Sequence, residues 1–264
     1  MGKIVSIHSF RGGTGKSNTT ANLAAQVAIQ GKKVGIVDTD IQSPGIHVLF
    51  GLNDQTMGHT LNEYLRSECS ITEVAHNIGE LSETKATGVK KLKGKDIFLF
   101  PSSIKGSEIS RFLKEGYDPN ILNDGLQDMI EELGLDYLFI DTHPGLNEET
   151  LLSISISDAL ILILRPDQQD FQGTAVTVDI AKLLLVPHMY LLMNKALTKY
   201  NFTNLKQDAE TAFETPVAAV LPFNEEMVDM GSSDIFSLAK PDHDWSKGIQ
   251  QVADILLTIK DEVA

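Results

Sequence analysis

The chain has 264 residues, 42% of them hydrophobic and 22% charged, a globular balance that excludes disorder as the expectation and suffices for one large α/β domain over residues 1–264. A formal net charge of −14 opposes broad attraction to nucleic acid or anionic lipid and leaves any DNA contact to a local basic patch. Cys69 is the only cysteine, which excludes an intrachain disulfide, a four-cysteine zinc site and a Cys-x-x-Cys pair, and fits a reducing cytoplasm. The N-terminal run Ile4 to Ile7 is too short for a signal peptide, and the longest apolar stretch, Ala159 to Leu164, is too short to span a bilayer.

In chain order, a strand is predicted at Lys3–His8, then a glycine-rich turn and a helix over Ser17–Gln30 ended by Gly31. A strand at Lys33–Val37 follows, then helices at Thr60–Arg66 and at Ser70–Ala75, where Ser70 and Glu73 form a capping-box pattern. The stretch Asn77 to Lys95 carries Lys85, Lys90, Lys91, Lys93 and Lys95 with little apolar periodicity. It reads as a surface hairpin or loop, either merely solvated or a docking patch for DNA or an acidic partner. Next come a strand at Asp96–Phe100, a helix at Asn120–Leu133 closed by Gly134, and a strand at Tyr137–Ile140. A helix is predicted over Glu148–Ser157, although Ser153 to Ser157 alternates with the period of a strand. Strands at Ala159–Leu164, Met189–Met193 and Val217–Leu221 then alternate with helices at Asp170–Leu185, Asn201–Phe213 and Ser246–Asp261. Short apolar strands separated by helices imply a doubly wound, mostly parallel α/β sheet flanked by helices.

The segment Phe10-Arg11-Gly12-Gly13-Thr14-Gly15-Lys16-Ser17-Asn18 joins the first strand to the first helix. Glycines let backbone N–H groups approach phosphate oxygens, and the helix behind them points its positive end at the same anion. Lys16 would reach the β and γ phosphates, and the Ser17 hydroxyl would ligate Mg²⁺. The plain alternative is a glycine turn that only connects strand to helix.

Ligands of doubly wound sheets collect beyond the carboxyl ends of the strands. Asp38 and Asp40 follow the second strand, two apart on one side of an extended segment; they serve Mg²⁺ and an attacking water, or merely cap the turn. Asp141-Thr142-His143-Pro144-Gly145 follows the run Leu138 to Ile140, so Asp141 would hold Mg²⁺, while His143 either touches the nucleotide or, as the expectation, faces solvent. Asn194 ends another apolar run with an amide that both donates and accepts, which suits the edge of adenine. Asp167 and Asp170 open the helix after the Ala159 strand and read as helix caps or partner contacts.

Arg11-Gly12-Gly13-Thr14-Gly15-Lys16-Ser17 resembles the deviant Walker A box of the MinD/ParA family of P-loop ATPases, with Arg11 where that family carries its signature lysine. The resemblance extends through the Asp38-Thr39-Asp40 segment, the Asp141 strand, Asn194 and Pro222, and so covers nearly the whole chain. It implies a P-loop NTPase fold and ATP with Mg²⁺ as ligands. Nucleotide contacts would come from Gly12, Gly13, Thr14, Gly15, Lys16, Ser17 and Asn18, with Asn194 and Pro222 at the base. By the same resemblance Asp40 orients the water that attacks the γ phosphate, Ser17, Asp38 and Asp141 serve the metal, and Lys16 and Arg11 act on the phosphates. Arg11 would do so across an ATP-sandwich homodimer; a local surface ion pair is its other reading. The family positions cargo through a stimulating or adaptor protein. Direct membrane anchoring is disfavoured, because the tail Ile255 to Ala264 ends acidic rather than basic. The competing class is an ATP-dependent metabolic synthetase of the same superfamily, acting on a small carboxylate or amine. Iron–sulfur carriers of the superfamily expect paired cysteines, against the single Cys69.

Overall fold

A computed structural model describes residues 2–81 and 85–259. Its strands are β1 (Lys3–His8), β2 (Val34–Asp38), β3 (His76–Asn77), β4 (Ile97–Phe100), β5 (Tyr137–Asp141), β6 (Ala159–Leu164), β7 (His188–Ala196) and β8 (Val217–Pro222). The helices before β5 are α1 (Lys16–Ile29), α2 (Ile46–Leu49), α3 (Leu61–Leu65), α4 (Ile71–Val74), α5 (Thr87–Lys90), α6 (Gly106–Glu115) and α7 (Pro119–Leu133). Those after it are α8 (Glu148–Ser155), α9 (Gln168–Leu183), α10 (Phe202–Phe213), α11 (Glu225–Met230), α12 (Phe236–Ala239) and α13 (Asp244–Thr258).

The strands form one eight-stranded sheet in the order β3-β4-β2-β5-β1-β6-β7-β8. Every neighbouring pair is parallel except β3 with β4. The chain winds outward from β1 to one side as far as β4, returns at β5 and continues through β6 on the other side. The switch point therefore lies beyond the carboxyl end of β1, where a ligand crevice is expected.

Alternation along the strands sorts side chains to two faces. Val5, Ile7, Ile36, Phe139 and Ile161 pack with α1 and α13, including the fully buried Trp245. Ile4, Val37, Leu138 and Ile140 face α3, α4 and α7, and Leu160, Leu162 and Leu191 face α9 and α10. Such two-sided burial is why these strands read as continuous apolar runs.

Local chemistry sets the helix ends. Ser70 and Glu73 form their capping box at α4, and Thr60 with Glu63 forms another at α3. Gly134 closes α7 in the left-handed conformation at φ 61°.

The stretch Asn77 to Lys95 is more than a surface loop. It supplies β3, a 3-10 turn at Ile78–Glu80 and α5, and buries Ile78, Val89 and Leu92 in the main core. The Asp234 carboxylate accepts from the N–H groups of Gly88 and Val89 and so holds α5 down. Three apolar anchors spaced 11 and 3 apart have no helical or strand period, which is why the sequence reads as loop. Helix α6 carries no sequence expectation, since Phe112 alone among its residues is buried. Strand β7 runs three residues past Met193 through a register shift against β8, so Asn194 and Lys195 lie within the strand rather than after it. Ser153 to Ser155 is helical, closing α8 two residues before the expected end. The part of the tail from Lys260 onward lies outside the described residues. No helix among the described residues is long and apolar enough to cross a membrane.

Candidate functional site

The turn between β1 and α1 takes its shape from glycine. Gly13 and Gly15 adopt φ 78° and 94°, a region that side chains with a Cβ rarely enter. Gly15 is doubly constrained, because a Cβ there would lie 2.6 Å from Asn194 Nδ2. Gly12 and Gly13 are open to solvent, while Thr14 and Lys16 are buried. The result is a cradle of backbone amides ahead of the α1 N-terminus.

Two strand ends bring acids to it. Asp38 and Asp141 are register partners on β2 and β5, and neither is exposed. The Lys16 ammonium donates to Asp141 Oδ1 at 3.1 Å, and the Thr20 hydroxyl donates to the same oxygen at 3.2 Å. Asp141 Oδ2 is buried with no hydrogen-bond partner, as is the Thr14 hydroxyl oxygen. Such orphans are costly in a finished core. A cradle of free amides, a buried lysine and a carboxylate oxygen left open fit a triphosphate with a hard divalent cation.

Asp38 accepts from the Asp40 and Gly45 N–H groups at 3.1 Å each. Burial first, and then the neighbouring Asp141, push its carboxyl up to about 8, against Lys16, which acts in the other direction. Asp40 accepts from the Ser43 N–H and hydroxyl. Its Oδ1 lies 3.9 Å from His143 Nε2, so His143 turns toward Asp40 while remaining partly exposed. The loops that follow β2 and β5 thus meet at Asp40 and His143.

Below them sits His8, which sequence reasoning passed over. Its Nδ1 is 2.8 Å from the Thr142 hydroxyl, which itself donates to the Ile7 carbonyl at 2.9 Å. The hydroxyl proton being committed, His8 carries its proton on Nδ1. Burial, followed by Lys16 and His143, lowers its pKa to about 3, so it is neutral.

Arg11 is partly exposed and lies 3.5 Å from Asp170 and 4.0 Å from Asp167. The firmer partner of Asp170 is Arg165, whose Nε and Nη2 donate at 2.8 and 2.9 Å. Burial opposes the charge of Asp170, but these bonds outweigh it and hold its carboxyl below the ordinary range. Asp167 caps α9 by accepting from the Asp170 N–H. Ser17 and Asn18 lie in the first turn of α1, where both are partly buried.

The base end is a cavity of about 200 Å³ lined by Gly15, Asn18, Asn194, Pro222, Phe223 and Trp245, among others. Asn194 and Pro222, separated widely in sequence, are brought together here. The Asn194 amide is largely used by the protein itself. It donates to the Thr14 carbonyl at 2.8 Å and accepts from Trp245 Nε1 at 3.2 Å and from the Lys195 N–H at 2.9 Å. Asn224, in the same wall, caps α11 through Oδ1 and leaves its buried Nδ2 without a partner. Sequence reasoning stopped at Pro222 and missed it; the visible signal was an asparagine two residues on, before a helix-forming Glu225-Glu226 pair.

Residues 2–190 match the family AAA_31, an AAA domain. The iron-sulfur cluster carrier protein of Methanocaldococcus jannaschii is 30% identical over 73% of this chain and 59% of its own length. The septum site-determining protein MinD of Synechocystis sp. is 22% identical over 86% of this chain and 79% of its own length. The chain thus spans between about three-fifths and four-fifths of these relatives. Among solved structures, the Pyrococcus furiosus cell division ATPase MinD superposes with a TM-score of 0.79 at 21% identity, covering 97% of this chain and 99% of that one. With its matching family, its sheet and its glycine cradle, the chain belongs to the MinD/ParA family of P-loop ATPases.

Proposed function

We propose that the protein is an ATP-driven molecular switch that dimerises with ATP between its subunits and positions or partitions a cellular cargo through a partner protein. The observation that carries this reading is the buried Lys16–Asp141 pair facing a cradle of free amides, with Asp40 and His143 across from it. Lys16 would leave Asp141 for the β and γ phosphates, and Asp141 Oδ2, Asp38 and the Ser17 hydroxyl would hold Mg²⁺. Bound Mg²⁺ would supply charge neutralisation at the phosphates. Asp40 orients the attacking water, fixed in place by its bonds to Ser43. Asn194 braces the cradle, and Pro222 and Asn224 meet the base. Arg11 exchanges its contact with Asp167 and Asp170 for the phosphates of the second subunit. The setting is a reducing cytoplasm, and one ATPase domain fills the chain.

The test is the solution mass of the Asp40→Ala protein, by light scattering on a sizing column, with Mg²⁺-ATP and with Mg²⁺-ADP. The reading expects a dimer with ATP and a monomer with ADP. The same mass in both states sinks it.

A second reading has its own observation. A groove of about 250 Å³ lined by Thr39, Gln42, Tyr117, His143, Glu148 and Glu149 adjoins Asp40. Its acidic rim suits a small amine rather than a carboxylate, as a synthetase of this superfamily would require; ATP turnover that depends on an added amine is its mark. Cluster carriage, the role named for the Methanocaldococcus jannaschii relative, finds little support in Cys69. Burial and the nearby Glu63, Glu73 and Glu68 push that thiol up to about 11, away from the thiolate that binds metal.

A further inference from the structure

His143 stands in the loop after β5 with its backbone held on both sides. The Thr142 N–H and hydroxyl both donate to the Ile7 carbonyl, at 3.3 and 2.9 Å, and the His143 carbonyl accepts from the Thr150 hydroxyl at 3.2 Å. Two residues on, the Gly145 N–H donates to the Ser9 carbonyl at 3.2 Å and ties the same loop to the phosphate turn. The ring is oriented as well. Its Nδ1 lies 2.7 Å from the Pro144 carbonyl oxygen, which can only accept, so Nδ1 carries a proton and Nε2 of the neutral ring presents a lone pair.

That lone pair faces Asp40. The Nε2 to Oδ1 distance of 3.9 Å is beyond a direct hydrogen bond. Ser43 donates twice to Oδ1, and among the described residues no donor reaches Oδ2. Two acceptors held this close, on loops each fixed by its own bonds, are matched by a molecule with two donors, and a single water spans such a gap. The pair also belongs to the phosphate end of the site, since His8 lies within electrostatic reach of both Lys16 and His143. We propose that His143 is a second water-orienting residue, whose Nε2 takes one O–H of the attacking water while the Asp40 carboxylate takes the other. This rests on the ATPase reading and adds a residue to that same site. With both O–H bonds engaged by acceptors, a lone pair of the water oxygen is directed at the γ phosphorus. The oxygen bonds to phosphorus as the bond to the β–γ bridging oxygen breaks, ADP leaves with that electron pair, and both water protons end on the released phosphate. The imidazole acts by its position throughout.

The test uses the full chain and reads three quantities: kcat at saturating Mg²⁺-ATP, ATP affinity by isothermal titration, and the affinity of the Mg²⁺-ADP protein for aluminium fluoride, a transition-state mimic that includes the attacking water. His143→Asn keeps a donor for the Pro144 carbonyl but has no acceptor at the reach of Nε2. It is expected to lower kcat about thirtyfold and to weaken aluminium fluoride comparably, with ATP affinity within about twofold of wild type. His143→Gln carries a carboxamide oxygen out to the place of Nε2 and is expected to recover kcat to within about fivefold. Unchanged kcat in His143→Asn would leave His143 a surface contact of Asp40. A loss of ATP affinity in step with kcat would make it a support of the loop, and a His143→Gln protein as slow as His143→Asn would exclude an acceptor acting by position. Each of these overturns the proposal alone, because the wild type still binds and hydrolyses ATP. A wild-type protein that does neither overturns the ATPase reading and His143's role with it.

Discussion

Lys16 Nζ and Asp141 Oδ1 lie 3.1 Å apart with both side chains buried, so the cation of the phosphate turn is neutralised by the acid at the end of β5. Removing either partner leaves a buried, uncompensated charge. Lys16→Met is expected to lower unfolding free energy by about 3 kcal/mol, with Asp141→Asn in the same background recovering most of it. Urea denaturation of the two single variants and the double checks the coupling. Full additivity would show that the pair is not held in solution.

Asp38 and His8 give opposite pH dependences. For Asp38 the folded pKa, about 8, lies above the ordinary 3.8, so the folded state holds a proton that the unfolded state has lost. Its contribution to stability is present below the unfolded value and is lost as pH rises toward 8. For His8 the folded pKa, about 3, lies below 6.5, so its contribution is present above the unfolded value and is lost as pH falls. The two oppose each other between about pH 4 and 6.5, and above that Asp38 acts alone, with a slope of at most ~1.4 kcal/mol per pH unit. Melting temperature is therefore expected to fall between pH 6.5 and 8 in the wild type and to level off in Asp38→Asn. A variant that keeps the wild-type fall would assign it to another group.

Arg11 contributes little to the fold, since its ion pairs are partly exposed and neither is shorter than 3.5 Å. Arg11→Ala is expected to melt within about 2 °C of wild type and to lose the ATP-dependent dimer, which Arg11→Lys restores at least in part. Light scattering with Mg²⁺-ATP reads the result. A normal dimer in Arg11→Ala would leave Arg11 as a surface ion pair.

Asn224 lines the base cavity with its amide orientation fixed. Its Oδ1 accepts from the Met227 N–H at 3.1 Å, and its Nδ2 is buried without a partner. Asn224→Asp keeps the cap and replaces the donor by an acceptor, and is expected to weaken ATP about tenfold with the melting temperature unchanged. Titration calorimetry decides. Unaltered ATP affinity would confine Asn224 to capping α11.

Much of this site is legible in the sequence because it is local. Gly13 and Gly15 are needed where the backbone turns left-handed, and Lys16, Asp38 and Asp141 sit at ends of apolar runs that full burial makes conspicuous. The strands themselves are equally visible, since both faces of the sheet are covered and most of their side chains are apolar. By contrast, α6 and the α5 segment lack a period, because one or a few anchors suffice to bury them.

What the sequence determined by itself is therefore the sheet, the cradle and the order of the acids, each written in short contiguous patterns of burial and backbone conformation. Tertiary structure alone decided which partners those residues take. The tie of Lys16 to Asp141 spans 125 positions, the brace of Asn194 on Thr14 spans 180 and the reach of Lys195 to Gly13 spans 182. Contacts of that range depend on the winding that sets β1 between β5 and β6, a property of the packed sheet that no local pattern encodes.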